Sequence, residues 1–282
     1  MKKSWWHKVG FLLIGSLFIF LIWLTLQQPS HNRDWEIGQE KLPYITIDYQ
    51  SGAVKIDNFR DFIWRKDQEP IIKYKNIQFN IKDIETVDVV ISHFEKFEGM
   101  AHIFLSFGLR DGRHIAVSLE TRREKNEEFS PWLGLLRQFE IIYVMASEND
   151  IIGLRTDVRE GERVYLYPTI ATPDKAQELF LVLAEEINEV YRRPKIYNTL
   201  THNCTNEITR RVEEISSLDF PLTWKTLFPG YFDEVLYEMK IIPHNKPFEE
   251  VKREYFVDNN KVNYLSPDYS KQLRAGWRTE EF

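Results

Sequence analysis

The only cysteine of this 282-residue chain lies in the stretch Tyr197-Asn198-Thr199-Leu200-Thr201-His202-Asn203-Cys204-Thr205. From Cys204 onward, apolar residues recur at helical spacing, which predicts that a polar turn opens into an amphipathic helix with the thiol on its inward side. Unpaired backbone N–H groups at a helix N-terminus favour a thiolate and lower the pKa of a cysteine. The position therefore predicts a nucleophile. The alternative is that Cys204 is a small buried apolar side chain.

The N-terminal segment predicts a membrane anchor. Residues 9–26 form an uncharged, largely apolar run, close to the about 20 residues that a helix needs to cross a bilayer. Lys2, Lys3 and Lys8 precede the run, and residues 27–32 after it contain no lysine or arginine, so the positive-inside rule places the N-terminus in the cytoplasm. A cleaved signal peptide is the alternative, but no Ala-x-Ala site follows the run. We expect a single-pass membrane protein whose residues from about 30 onward lie on the far side of the membrane.

Composition and motifs exclude several classes of function. A net charge of -6, without a basic stripe, argues against nucleic acid as a partner. A single cysteine excludes an internal disulfide, and a free thiol in an oxidising compartment must be buried or used. The chain contains no Gly-x-Gly-x-x-Gly or Walker loop, no His-Glu-x-x-His and no Gly-x-Ser-x-Gly, and its His, Asp and Glu residues do not cluster. We expect neither a metal site nor a cofactor.

The remainder of the chain predicts one α+β domain, with an antiparallel sheet packed against helices. We expect a cytoplasmic N-terminus at 1–8, an anchor at 9–26, a linker at 27–42, the domain at 43–242 and an irregular tail packed on it at 243–282. Helices are expected from Thr172, as N-cap, over 173–192, from Cys204 onward, and near 231–240. The turn at Asp111-Gly112 predicts a hairpin. Strands are expected at 43–49, 71–81, 101–109, 113–120, 139–146 and 163–168.

A cysteine nucleophile needs a base and usually a third group that orients the base. His102 begins a strand whose same face carries Phe104 and Ser106, and an ionisable group there requires a partner. On the next strand His114 and Glu120 share one face, and either is a candidate for the third group. His202 lies two residues before Cys204 and is expected to belong to the turn. For each histidine a purely structural role is the alternative.

Two further patterns have ordinary explanations. The charged run 120–125 is expected to be a solvated face, although Arg122 or Arg123 is a candidate for contact with an anionic head group. Apolar residues near helical spacing are expected to belong to the core, with an acyl-chain groove as the alternative: Phe129, Trp132, Leu133, Leu136 and Phe139.

Four blocks of sequence resemble the Lnb N-terminal periplasmic domain family: 56–62, 101–108, 117–122 and 197–205. The resemblance covers roughly residues 50–215. It implies a papain-like, NlpC/P60-like cysteine fold in circularly permuted order, with histidine before cysteine. His102 would then be the base, Glu120 its orienting partner and Cys204 the nucleophile. Supporting or substrate-binding roles are expected for Tyr197, Asn203, Thr205, Arg122 and His114.

The function that this resemblance implies is acyl transfer, because members of the family are associated with lipoprotein N-acylation in bacteria. Cys204 would take an acyl chain from a phospholipid as a thioester and pass it to an amine such as a lipoprotein N-terminus. With water as acceptor, the same site would be a hydrolase. Two other functions remain open: a cysteine amidase or peptidase of the NlpC/P60 type acting on cell wall, and a non-catalytic anchored module that binds a partner.

Overall fold

The computed structural model describes residues 2–277 and shows an apolar N-terminal helix followed by an α+β domain. Its helices are α1 (Lys2–Leu26), α2 (Pro131–Leu135), α3 (Glu148–Gly153), α4 (Pro173–Arg192), α5 (Cys204–Ile215), α6 (Trp224–Leu227), α7 (Phe232–Glu238), α8 (Phe248–Glu254) and α9 (Tyr269–Leu273). Its strands are β1 (Tyr44–Asp48), β2 (Ala53–Arg60), β3 (Ile63–Arg65), β4 (Gln68–Ile71), β5 (Tyr74–Asn80), β6 (Ile84–His93), β7 (Ala101–Leu109), β8 (His114–Arg122), β9 (Glu140–Ala146) and β10 (Arg163–Pro168). A π-helical turn, Leu154–Val158, follows α3.

The main sheet has the strand order β1-β2-β9-β8-β7-β6-β10, and β5 pairs with β2. Every neighbouring pair is antiparallel except β2 and β9, which meet in parallel at Arg60 and Ala146. The predicted antiparallel sheet is therefore confirmed except at this pair, which makes the sheet mixed. Asp150 of α3 accepts hydrogen bonds from Arg60 Nε and Phe62 N, which holds the end of β2 beside the end of β9.

Several predicted elements are confirmed. β7, β10 and α4 have the predicted bounds, and Thr172 caps α4 by accepting a hydrogen bond from the backbone N–H of Lys175. Gly112 adopts a φ of +85° in the β7–β8 turn, a conformation that glycine reaches without steric cost. The predicted hairpin is confirmed, since β7 pairs with β8 in antiparallel register.

Successive side chains of β7 point to opposite faces of the sheet, and each face carries its own hydrophobic core. Ile103 and Leu105 belong to the first core, which α4 covers and which includes Cys204. Phe104 belongs to the second core, which contains Ile151 of α3 and Tyr269 of α9. Side chains of even-numbered residues on β7 therefore share a face with α3 and the C-terminal segment.

Helix α1 contains a stretch, His7–Leu26, that is long and apolar enough to cross a membrane. The chain then contacts the domain almost at once. The backbone N–H of Ser30 donates to Glu140 Oε1 at 3.0 Å, Arg33 pairs with the same carboxylate at 2.8 Å, and Trp35 is buried. The segment expected as a linker at 27–42 thus packs on the domain.

The C-terminal segment packs on the domain, but it is not irregular as predicted, since it contains α8 and α9. Arg274, just after α9, pairs with Asp88 and Glu148, each at 2.7 Å. Burial raises the pKa of Asp88 to about 6, whereas Arg274 overcomes the effect of burial on Glu148 and lowers its pKa to about 2. Residues 278–282 of the predicted tail, and Met1 of the predicted cytoplasmic N-terminus, lie outside the described residues.

We expect Arg274→Ala to lower the free energy of unfolding by about 3–5 kcal/mol, because it leaves two buried carboxylates without a counter-charge. Chemical denaturation of the full chain in detergent measures this loss. Arg113→Ala is the matched control: its partner Asp111 is about half exposed, so the loss should stay below about 1 kcal/mol. Equal losses in the two variants would contradict the assignment.

Candidate functional site

Cys204 is the first residue of α5, and Asn203 fixes the turn before it. Asn203 Oδ1 accepts from the backbone N–H of Asn206 at 2.9 Å, and its Nδ2 donates to the carbonyl of Thr199 at 2.7 Å. The thiol is 6% exposed, and the nearby backbone N–H of Ile103 acts to lower its pKa. The structure therefore places Cys204 against β7, beside the residue that follows His102.

Burial raises the pKa of the Cys204 thiol above its ordinary value, although the Ile103 N–H and the neighbouring Thr205 oppose this effect. The expectation that the helix N-terminus would lower this pKa is therefore wrong, because desolvation of the thiolate outweighs the helix dipole. The thiol is protonated at neutral pH. Thr205 is buried as well, and within residues 2–277 its hydroxyl makes no hydrogen bond to any other group.

His102 belongs to a hydrogen-bonded relay on the other face of β7. Its ring stacks on Phe104, with centroids 5.7 Å apart, and its Nε2 lies 2.7 Å from Ser118 Oγ. Ser118 donates its hydroxyl hydrogen to Glu120 Oε1 at 3.1 Å. Because a hydroxyl has one hydrogen to donate, Nε2 of His102 must carry the proton in this relay. Nδ1, which receives no hydrogen bond within residues 2–277, is then the acceptor.

Glu120 therefore orients His102 through Ser118, since the direct distance from Nε2 to Oε1 is 3.9 Å. On its other side Glu120 accepts from Arg155 Nη2 at 3.1 Å. Arg155 comes from the π-helical turn, is 3% exposed and lies over the Phe104 ring at 5.1 Å. Sequence reasoning missed both Ser118 and Arg155.

The charges of the relay are fixed by burial and by Arg155. Burial, with a smaller contribution from Arg155, lowers the pKa of His102 to about 3, so its imidazole is neutral at physiological pH. Burial alone would raise the pKa of Glu120, but Arg155 and His102 hold it well below its ordinary range. Glu120 is therefore a carboxylate that cannot take the proton from His102.

The relay and the thiol lie on opposite sides of the first residues of β7. β7 and β8 pair from Leu105 and Val117 to Gly108 and His114, and the pairing does not continue to His102 and Glu120. Within residues 2–277 no hydrogen bond joins Cys204 Sγ to the imidazole. The structure thus brings His102 of β7 together with Ser118 and Glu120 of β8. It places Cys204 next to β7.

The family model of the Lnb N-terminal periplasmic domain matches residues 72–230, more than half of the chain, and spans the thiol and the relay. The chain belongs to this family. With helix α1, the assignment makes the protein a membrane-anchored periplasmic domain. No curated protein and no solved structure matches the chain.

The other predicted site residues of this Lnb domain have different surroundings. Tyr197 is buried, and burial together with the nearby Cys204 raises its pKa. Arg122 is 1% exposed, stacks over the Trp35 ring at 4.1 Å and donates to backbone carbonyls, so head-group contact by Arg122 is wrong. His114 lies six residues from Glu120 along β8, about 20 Å away, and is not near His102. His202 is exposed in the turn, as expected.

The predicted apolar core at 129–139 is only partly confirmed. Phe139 is fully buried and Phe129 packs against the first core, but Trp132 is 76% exposed and Leu133 is 40% exposed. Leu136 is half-buried. Helix α2 therefore presents two large apolar side chains to the outside of the Lnb domain.

A cavity of about 470 Å³ opens beside Glu120 and Arg155. Neither Cys204 nor His102 lines it, so it reaches the relay at its carboxylate. Five cationic side chains and two acidic ones, Glu36 and Glu120, line the cavity; the cations are Arg60, Arg123, Lys125, Arg155 and Arg159. Two of their carboxylate partners, Glu36 and Asp34, are 40% and 74% exposed, so these pairs are weak and screened by solvent.

We expect iodoacetamide to alkylate Cys204 of the folded Lnb domain with a rate that rises about tenfold per pH unit between pH 7 and 9. The reason is that the buried thiol is protonated and only the thiolate reacts. Intact-mass spectrometry measures the rate, and protein unfolded in urea is the control for an accessible thiol. A rate that is already constant below pH 7 would show a low-pKa thiolate instead.

The contribution of His102 to the stability of the folded domain should fall as the pH drops below about 6.5. The pKa of His102 is about 3 in the folded chain, so the unfolded chain binds a proton that the folded chain does not. This contribution to the free energy of unfolding begins to fall near pH 6.5, the pKa in the unfolded chain, and continues to fall towards the pKa in the folded chain. The loss from His102 is at most about 1.4 kcal/mol per pH unit. Unfolding free energies at pH 5 to 7 measure the slope.

His102→Gln should reduce the slope of unfolding free energy against pH, because it removes one titrating group. The slope should not vanish, since burial also lowers the pKa of His93 to about 4. His202→Gln, at an exposed ring, is the matched control and should keep the wild-type slope. An unchanged slope in His102→Gln would show that this imidazole is not held neutral.

Proposed function

We propose that this Lnb domain is a membrane-anchored thiol acyltransferase in which Cys204 carries an acyl chain as a thioester. The observation that supports this proposal best is the relay that fixes the proton of His102 on Nε2, with the thiol next to its strand. A neutral imidazole with a free Nδ1 is the form that accepts a proton from a thiol. A helix that carries cysteine against a preceding strand that carries histidine also agrees with a permuted papain-like, NlpC/P60-like arrangement.

The first half-reaction is acylation of the thiol. Nδ1 of His102 takes the thiol proton as Sγ attacks the ester carbonyl of a phospholipid, and backbone N–H groups at the start of α5 stabilise the oxyanion. The ester C–O bond breaks, the imidazolium returns the proton to the departing alcohol oxygen, and a lysophospholipid leaves. This step requires Sγ and Nδ1 to approach to about 3–3.5 Å around the first residues of β7, which pair with β6 at His102 but not with β8.

The second half-reaction releases the acyl chain to an amine. The amine attacks the thioester carbonyl, His102 takes the amine proton, and Sγ departs and is reprotonated. Glu120 remains a carboxylate throughout, because the positive charge of Arg155 stabilises its ionised form. Through Ser118, this carboxylate stabilises the imidazolium of His102. The association of the family with lipoprotein N-acylation supports a lipoprotein α-amine as the acceptor.

The cavity beside Glu120 supports a phospholipid as the donor. Its cationic lining suits a phosphate group, which guanidinium groups bind in bidentate geometry. Arg123 is a suitable phosphate ligand, because its Nε is buried and has no hydrogen-bond partner among residues 2–277, while its side chain is 21% exposed. The predicted head-group contact is thus proposed for Arg123 and not for Arg122.

The test is the mass of the full-length protein after incubation with phospholipid vesicles. We expect an acyl adduct on Cys204 that hydroxylamine removes, and no such adduct on Cys204→Ser. His102→Gln should slow adduct formation about 10²–10⁴-fold. His114→Gln is the matched control, since this histidine lies at the far end of the same hairpin, and it should form the adduct at the wild-type rate.

Subsequent addition of a lipoprotein with a free N-terminal amine should yield the N-acylated product. Failure to form the adduct, together with release of muropeptides from peptidoglycan, would replace the proposal with a cell-wall amidase or peptidase. The absence of both reactions would favour a binding module. Alkylation alone does not separate these functions, because the buried thiol is expected to react slowly in each of them.

A further inference from the structure

The anchor meets the domain at the same end of the sheet as the relay and the thiol. That end contains the first residues of β7 and β9 and the last residues of β8. The backbone N–H of Ser30 donates to Glu140, the first residue of β9, and Ser30 is four residues beyond Leu26, where α1 ends. Four residues extend at most about 14 Å, so this end of the sheet lies close to the bilayer surface.

The same end exposes large apolar side chains from three connections. Phe97, between β6 and β7, is 53% exposed; Trp132 of α2, between β8 and β9, is 76% exposed; and Leu200, just before α5, is 56% exposed. Leu133 and the segment 222–228 extend this surface, with Leu222 90% exposed. We name these residues the apolar rim: Phe97, Trp132, Leu133, Leu200 and 222–228.

Direct contacts hold the parts of the apolar rim together. Phe97 contacts Phe228 edge to face, with ring centroids 5.7 Å apart. Thr199 Oγ1 donates to the carbonyl of Pro131 at 2.8 Å, which joins the loop of Leu200 to the helix of Trp132. Phe94, in the same connection as Phe97, contacts Phe129, two residues before α2, with ring centroids 6.0 Å apart, so the two parts form one surface beside the start of β7 and α5.

We propose that the apolar rim inserts into the interfacial layer of the bilayer that α1 spans. Tryptophan, phenylalanine and leucine are the side chains that partition into this layer, and the short tether keeps it within their reach. The ester groups of the lipids lie at the same depth, so docking brings them to the end of the sheet that carries His102 and Cys204. The docking itself does not depend on acyl transfer.

The test uses the full-length protein in phosphatidylcholine vesicles, with and without lipid brominated near the head of its acyl chains. Bromine quenches tryptophan on contact, and the emission of Trp132 is obtained as wild type minus Trp132→Phe. Tyr49→Trp is the matched control, because Tyr49 is 74% exposed in the β1–β2 turn at the opposite end of the sheet. We expect brominated lipid to remove at least about half of the Trp132 emission and to leave unchanged the emission that Tyr49→Trp adds to the wild type.

A Trp132 emission that brominated lipid quenches no more than the emission added by Tyr49→Trp would overturn the proposal. Acrylamide then identifies the true environment: quenching by acrylamide shows a side chain in water, and protection from both quenchers shows a protein partner on the rim. The readout requires no turnover, so it stays separate from the test of acyl transfer. Thermal unfolding of each variant verifies that the exposed substitutions leave the fold intact.

Discussion

The neutralisation of buried carboxylates on one face of the sheet is the constraint on which much of the domain depends. A buried charge without a partner costs several kcal/mol, so each of these acids requires a cation from elsewhere in the chain. The cations come from distant elements, which fixes β2, the π-helical turn and the C-terminal segment against that face. The pairs are Arg60 with Asp150, Arg155 with Glu120, and Arg274 with Asp88 and Glu148.

This constraint also explains which elements the sequence could predict. β7 and α4 have regular apolar patterns and clear turn or capping residues, and their predicted bounds are confirmed. β6 lies between β7 and the edge strand β10. Asp88 interrupts its apolar pattern, and only the fold reveals that Arg274 neutralises this carboxylate. β2 was missed in the same way, because Asn58, at a φ of 58°, breaks its register with β5.

The candidate site was predictable where chemistry determines the residue type. A lone thiol at a helix start and a histidine on an apolar strand pointed to Cys204 and His102. Strand alternation placed Glu120 on one face with His114, and either was a candidate for the third group. Ser118 lies two residues before Glu120 on β8 and therefore shares its face, so the two-residue period of a strand is a signal for Ser118 as well. Arg155 has no local signal. The pKa of Cys204 was mispredicted because desolvation depends on the packed core, which a helix position alone does not determine.

The attachment of Ser30 to Glu140 has a consequence for how the domain would meet the phospholipids and lipoproteins of the proposed function. A domain on a long flexible linker would move through a large volume of solvent around its anchor. Here the docked segment removes most of that freedom, so under the proposed function these encounters would occur by two-dimensional diffusion within one leaflet. Their frequency is then set by the mole fraction of the other molecule in the membrane, and its bulk concentration has little influence.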